Sequence, residues 1–180
     1  MKNVIIIPGF SEKNKEQVDS YAAYVEEKGY KTVKVYWPHW ESGDSSKFDK
    51  HAEVLRIKNI INDVKDGEIV IVAKSVGTLI ASEILKTIDK RIVRRVVLVG
   101  LPLQWNDERS SEEYQYYEAL NELDPAIVTI IQAKNDPYCS YVKVERFVRE
   151  IMKNKKIEIV GINRDDHEYP VESVKDYLRI

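Results

Sequence analysis

The sequence Ala73-Lys74-Ser75-Val76-Gly77 joins a run of buried character to the start of a helix. It places a serine between two small residues spaced two before and two after it. That spacing suits a sharp strand-to-helix turn, where a large side chain at either flank would clash and the hydroxyl would stand clear of the backbone. Ala73 stands where glycine is more usual. A serine in this setting is either an activated nucleophile or an ordinary helix N-cap. The choice depends on what the neighbouring loops carry. Asn135-Asp136-Pro137 supplies a carboxylate, and it also has good turn chemistry. Asp165-Asp166-His167 supplies an imidazole. Together the three loops contain a nucleophile, a base and an acid, the residue types needed for acyl transfer.

The elements that must bring these loops together alternate along the chain. Apolar, β-branched runs predict strands at Val4–Ile7, Thr32–Tyr36, Ile69–Ala73, Val93–Val99, Ile127–Ala133 and Lys156–Val160. Helical spacing predicts helices at Lys15–Lys28, Phe48–Val64, Thr78–Ile88, Ser111–Leu123, Val142–Met152 and Val171–Leu178, with Trp37–Lys47 a loop. Continuously apolar strands separated by amphipathic helices imply a mostly parallel six-stranded sheet covered on both faces. The expected fold is α/β, a three-layer αβα sandwich forming one domain over residues 1–180. In such a sheet, a site forms at the carboxyl ends of the strands. Pro8-Gly9-Phe10-Ser11, Trp37-Pro38-His39-Trp40, Lys74-Ser75-Val76-Gly77, Leu101-Pro102, Asn135-Asp136-Pro137 and Asp165-Asp166-His167 all fall there.

Composition narrows the partners. With 28 Lys plus Arg against 30 Asp plus Glu, the net charge of -2 gives no global field toward nucleic acid or an anionic membrane. The single cysteine, Cys139, excludes an intrachain disulfide, and no Cys/His cluster offers a metal site. The apolar run before Pro8 is too short for a signal peptide core or a membrane span, so a cytoplasmic address is expected. A nucleotide-binding reading fails because the first strand leads into Pro8-Gly9-Phe10-Ser11, without a Gly-x-Gly-x-x-Gly or Gly-Lys-Ser/Thr motif.

The elbow, the order Ser75, Asp136, His167, and the strand that each follows resemble the α/β-hydrolase superfamily, in particular its small members with almost no cap. The resemblance spans nearly the whole chain, although the antiparallel strands that often open the family's sheet are missing. It implies a catalytic triad with Ser75 as nucleophile, His167 as base and Asp136 as the acid that orients it. Asp165 or Asp166 could replace Asp136 as partner. His51 falls inside a helix, and His39 lies in a site-edge loop where it could contact substrate. The resemblance also implies an oxyanion hole built from the amides of Phe10 and Val76, with Gly9 allowing close approach. Phe10, Trp37, Trp40 and the segment Leu101 to Trp105 are the candidate pocket walls, and Gly9 is assigned to the same pocket.

The implied activity is cofactor-independent hydrolysis of small acyl substrates: carboxylic esters first, then thioesters or small amides. The alternative is a catalytically silent member that binds a protein or metabolite.

Overall fold

The computed structural model describes residues 3–64, 67–103 and 110–179. Six strands form one sheet: β1 (Asn3–Ile7), β2 (Lys31–Lys34), β3 (Ile69–Lys74), β4 (Val93–Val99), β5 (Val128–Ala133) and β6 (Glu158–Ile162). Every pairing is parallel, and the order is β2-β1-β3-β4-β5-β6. The helices are α1 (Asn14–Glu26), α2 (Pro38–Ser42), α3 (Lys50–Asn62), α4 (Val76–Leu85), α5 (Ser110–Tyr117), α6 (Tyr141–Arg146) and α7 (Val171–Leu178).

Strand alternation divides the core in two. Ile5, Ile7, Ile69, Ile71, Ala73, Val96, Leu98 and Ile130 face α3 and α4, which contribute Ile57, Ile61, Ile80, Ile84 and Leu85. Val4, Ile6, Val70, Val72, Val97, Val99, Ile131 and Ala133 face α1 and α7 through Val18, Tyr21, Val25, Val174 and Leu178. Both faces are covered, which is why the central strands read as unbroken apolar runs.

The chain proceeds outward from β1 to β2 on one side, then returns to β3 on the other. The carboxyl ends of β1 and β3 therefore flank the point where the order reverses, the place where such sheets leave a crevice. Pro8-Gly9-Phe10 and Ser75 lie on either side of it.

The elements depart from expectation at their ends. Helix α3 starts at Lys50 because the Asp49 carboxylate accepts from the amides of His51 and Ala52, a cap that contributes about 1 kcal/mol. The expected loop after Trp37 holds the one-turn helix α2, and the expected helix after Ser111 tightens into a 3-10 turn at Glu118–Glu122. Helix α6 passes into a π turn at Phe147–Ile151. Strand β6 is shifted toward the C-terminus, to Glu158–Ile162. Asn154 Oδ1 holds the amides of Lys156 and Ile157 before the strand begins, and Gly161 continues the strand beneath Tyr141, where a Cβ would lie 3.0 Å from Cδ2. Among the described residues, no helix is long and apolar enough to cross a membrane.

Candidate active site

Ser75 occupies the turn between β3 and α4 at φ 51°, ψ -124°. A β-carbon makes this backbone costly, on the order of 1–3 kcal/mol, and it persists only where the surroundings determine it. Here they do. The Ser75 amide donates to Val99 O (2.9 Å), and Ser75 O accepts from the Thr78 amide (2.8 Å) and hydroxyl (2.6 Å). Ala73 is buried, and Gly77 passes so close to β1 that a Cβ would lie 2.5 Å from Pro8 O and 2.6 Å from Ile7 O. The N-cap role is not what this serine performs: its side chain makes no capping hydrogen bond.

His167 follows β6, and its Nδ1 lies 2.7 Å from Asp136 Oδ2. A carboxylate can only accept, so Nδ1 carries a proton, and in the neutral imidazole Nε2 is then the acceptor. Nε2 is buried and has no partner among the described residues.

Asp136 itself is buried and richly supported. Oδ2 also accepts from the Tyr169 hydroxyl (2.6 Å), while Oδ1 accepts from the amides of Tyr138 (2.9 Å) and Cys139 (3.4 Å). Burial pushes its pKa upward. The hydrogen bonds from His167 and Tyr169 outweigh that effect and hold the carboxyl below the ordinary aspartate value. The other two acids near His167 are engaged elsewhere: Asp165 accepts from Asn135 Nδ2 (2.7 Å), and Asp166 pairs with Arg164.

Tyr169 was not singled out by sequence reasoning. Its hydroxyl accepts from the Ala133 amide (2.9 Å) while donating to Asp136, so it joins the end of β5 to the carboxylate. Its ring is buried edge-on to His167 at 5.8 Å. Burial and the neighbouring carboxylate push the phenol's pKa well up. Gly100 makes room for both rings. At φ 64°, a Cβ there would lie 2.7 Å from Tyr169 Cε2 and 3.0 Å from His167 Cε1. The only sequence clue to Tyr169 is its place two residues after His167.

Across the crevice, ring N–H groups fix the Gly9-Phe10 loop. Trp37 Nε1 donates to Gly9 O (2.8 Å), Trp40 Nε1 donates to Phe10 O (2.8 Å), and His39 Nε2 lies 3.0 Å from the same oxygen. Since a carbonyl only accepts, His39 donates there. With the carbonyls held on the aromatic side, the Phe10 amide makes no backbone hydrogen bond among the described residues. The amide of Val76, the first residue of α4, has no intrahelical partner.

Ser75 and His167 share a cleft of about 590 Å³. Phe10, Val76, Leu79, Pro102 and Tyr138 form its apolar walls. Lys13, Asn14, Lys74 and Glu168 form its polar walls.

Several residues expected in the pocket, Gly9 among them, are not in its lining. Trp37 and Leu101 are fully buried core side chains, and Trp40 is nearly so. The tryptophans lie beneath the Phe10 loop because buried indole N–H groups need acceptors, and the loop carbonyls provide them. The Leu101 amide donates to Gln132 Oε1 (2.8 Å). His39, expected at the site edge, is stacked under Phe10 at 4.7 Å. Trp105 lies outside the described residues. Phe10 and Pro102, both assigned to the walls, are in the lining, and Leu79 and Tyr138 take the places assigned to the tryptophans.

The parallel sheet, its switch point and the strained serine turn define an α/β-hydrolase fold. The sequence matches the family model described as serine hydrolase over residues 4–161, and the chain belongs to that family. Similar solved structures include an alpha-beta serine hydrolase homologue from Coxiella burnetii (17% identity, 99% of this chain and 79% of that chain, TM-score 0.62). A monoacylglycerol lipase from Paleococcus ferrophilus superposes with a TM-score of 0.66 at 12% identity, covering 98% and 91% of the two chains. An esterase from Pyrococcus furiosus gives 0.65 at 17% identity, covering 98% and 76%. No curated protein matches the sequence.

Proposed function

We propose that the protein hydrolyses carboxylic esters through an acyl-enzyme on Ser75, with His167 as base and Asp136 as the acid that orients it. The observation that carries this reading is the 2.7 Å bond from His167 Nδ1 to Asp136, which leaves Nε2 without a partner among the described residues, on a histidine that lines the same cleft as the strained Ser75. Nε2 takes the Ser75 proton as Oγ attacks the acyl carbonyl, and the buried carboxylate stabilises the imidazolium. The amides of Phe10 and Val76 would receive the developing oxyanion. His167 then protonates the leaving alcohol and activates the water that releases the acid. Esters come ahead of thioesters and amides because the cleft has an apolar wall and because an esterase and a lipase are among the similar solved structures.

One domain spans the chain in this reading, and a single, buried cysteine, Cys139, suits a reducing cytoplasm.

The test is hydrolysis of 4-nitrophenyl butyrate by the wild type and by Ser75→Ala. The reading expects turnover that falls to background in the variant. A folded wild type with no turnover of short-chain esters would instead favour a binding module.

A further inference from the structure

Lys74, the residue before the proposed nucleophile, is unusual in its setting. It is 5% exposed, yet it lines the cleft beside Ser75. A lysine ammonium has three N–H donors. Among the described residues this one makes a single hydrogen bond, to Asn14 Oδ1 (2.7 Å). Its ion-pair partner, Glu168, stands off at 3.6 Å, outside good hydrogen-bond distance, and the Glu168 side chain is 67% exposed. The cation is thus withdrawn from water and under-coordinated, and its counter-ion is a solvated carboxylate at the cleft's rim. Burial lowers the Lys74 pKa, while Glu168, Asp136 and Asp166 oppose that shift. Lys13 adds a second cationic side chain to the same wall, and the apolar residues Phe10, Val76, Leu79, Pro102 and Tyr138 form the remainder.

From this geometry we infer that Lys74 is the recognition point for a carboxylate on the substrate, and that Glu168 holds the seat of that carboxylate until substrate displaces it. The preferred substrates are then esters that join an apolar group to an acidic one. This inference rests on the esterase reading above and names the substrate class of that same site. Ser75 attacks the ester carbonyl as before; the added carboxylate stays intact and takes part only in binding. A charge-assisted hydrogen bond in a site shielded from water is among the stronger polar contacts available. A cation already desolvated and held by Asn14 costs little further ordering when it forms one.

The experiment compares kcat/KM for two matched ester pairs. Mono-4-nitrophenyl adipate against 4-nitrophenyl hexanoate places the charge on the acyl side. 4-Carboxyphenyl butyrate against 4-carbamoylphenyl butyrate places it on the leaving group. The wild type is expected to favour the charged member of at least one pair by about tenfold or more. Lys74→Met should collapse that ratio toward one, whatever it does to turnover of the neutral ester. Glu168→Gln, at an exposed position, removes the competing carboxylate and should lower KM for the charged ester several-fold.

Turnover of the neutral esters with no charge preference in either pair overturns the inference and leaves the esterase reading standing. A preference that persists in Lys74→Met also overturns it, as does a charged-ester KM unchanged in Glu168→Gln. If neither member of either pair is hydrolysed and a fluorophosphonate fails to label the protein, the esterase reading falls and this inference with it.

Discussion

The two sides of the cleft are held in place by different means. On the β3–α4 side, Ser75 is positioned by backbone sterics: a positive φ, a Gly77 with no room for a side chain, and hydrogen bonds from Thr78 to the Ser75 carbonyl. On the β6–α7 side, His167 is positioned by side chains, through Asp136 and the Tyr169 hydroxyl that braces it. Backbone sterics tolerate almost no substitution, whereas a side-chain network weakens one member at a time. Damage on the first side should therefore appear as loss of fold. On the second side it should appear as loss of rate in a folded protein.

The largest expected effect is at Gly77. Gly77→Val forces a branched side chain against Pro8 O and Ile7 O, and we expect failure to fold or a stability loss of several kcal/mol, read by thermal denaturation. Asp136→Asn should sharpen the contrast. It leaves the fold largely intact but favours the wrong imidazole tautomer, so kcat should fall by about 10³–10⁴ while KM changes little.

Gly100→Ala lies between the two behaviours. Its Cβ would press on Tyr169 and His167 at φ 64°, predicting a loss of about 1–3 kcal/mol together with a rate loss on the order of a hundredfold. Tyr169→Phe removes one donor from Asp136 and should cost about tenfold in kcat and about 1 kcal/mol in stability.

The smallest effect concerns pH. The Asp136 pKa is lower in the folded protein than in the unfolded chain, so its contribution to stability is present above the ordinary aspartate value of 3.8. It is lost as pH falls through the folded value. Asp136→Asn should flatten that acid limb in denaturation measured from about pH 5 to pH 2. An unchanged limb would show that other carboxylates carry it.

The same difference explains what could be read from the residues alone. The strand runs and the elbow at Ser75 follow from patterns local in sequence: continuous apolar runs, and small residues at fixed distances from a serine. The support around His167 depends on residues remote in sequence. Tyr169 meets Asp136 and Ala133 across more than thirty residues, and Gly100 owes its necessity to two rings from another loop. Trp37 and Trp40 show a subtler limit. Their place in a site-edge loop suggested pocket walls, and the loop does border the site. The indoles turn inward because the carbonyls of Gly9 and Phe10 need donors there. Which way a loop side chain turns is a question of hydrogen-bond demand, and single-sequence spacing does not encode it.

As the proposed nucleophile, Ser75 should react covalently with an electrophile that mimics an ester. The most direct measurement is reaction of the whole protein with a fluorophosphonate, followed by mass spectrometry of its peptides. A single stoichiometric adduct on Ser75 is expected, formed far more slowly by Asp136→Asn. An unmodified Ser75 in folded protein, or an adduct on another residue, would contradict it.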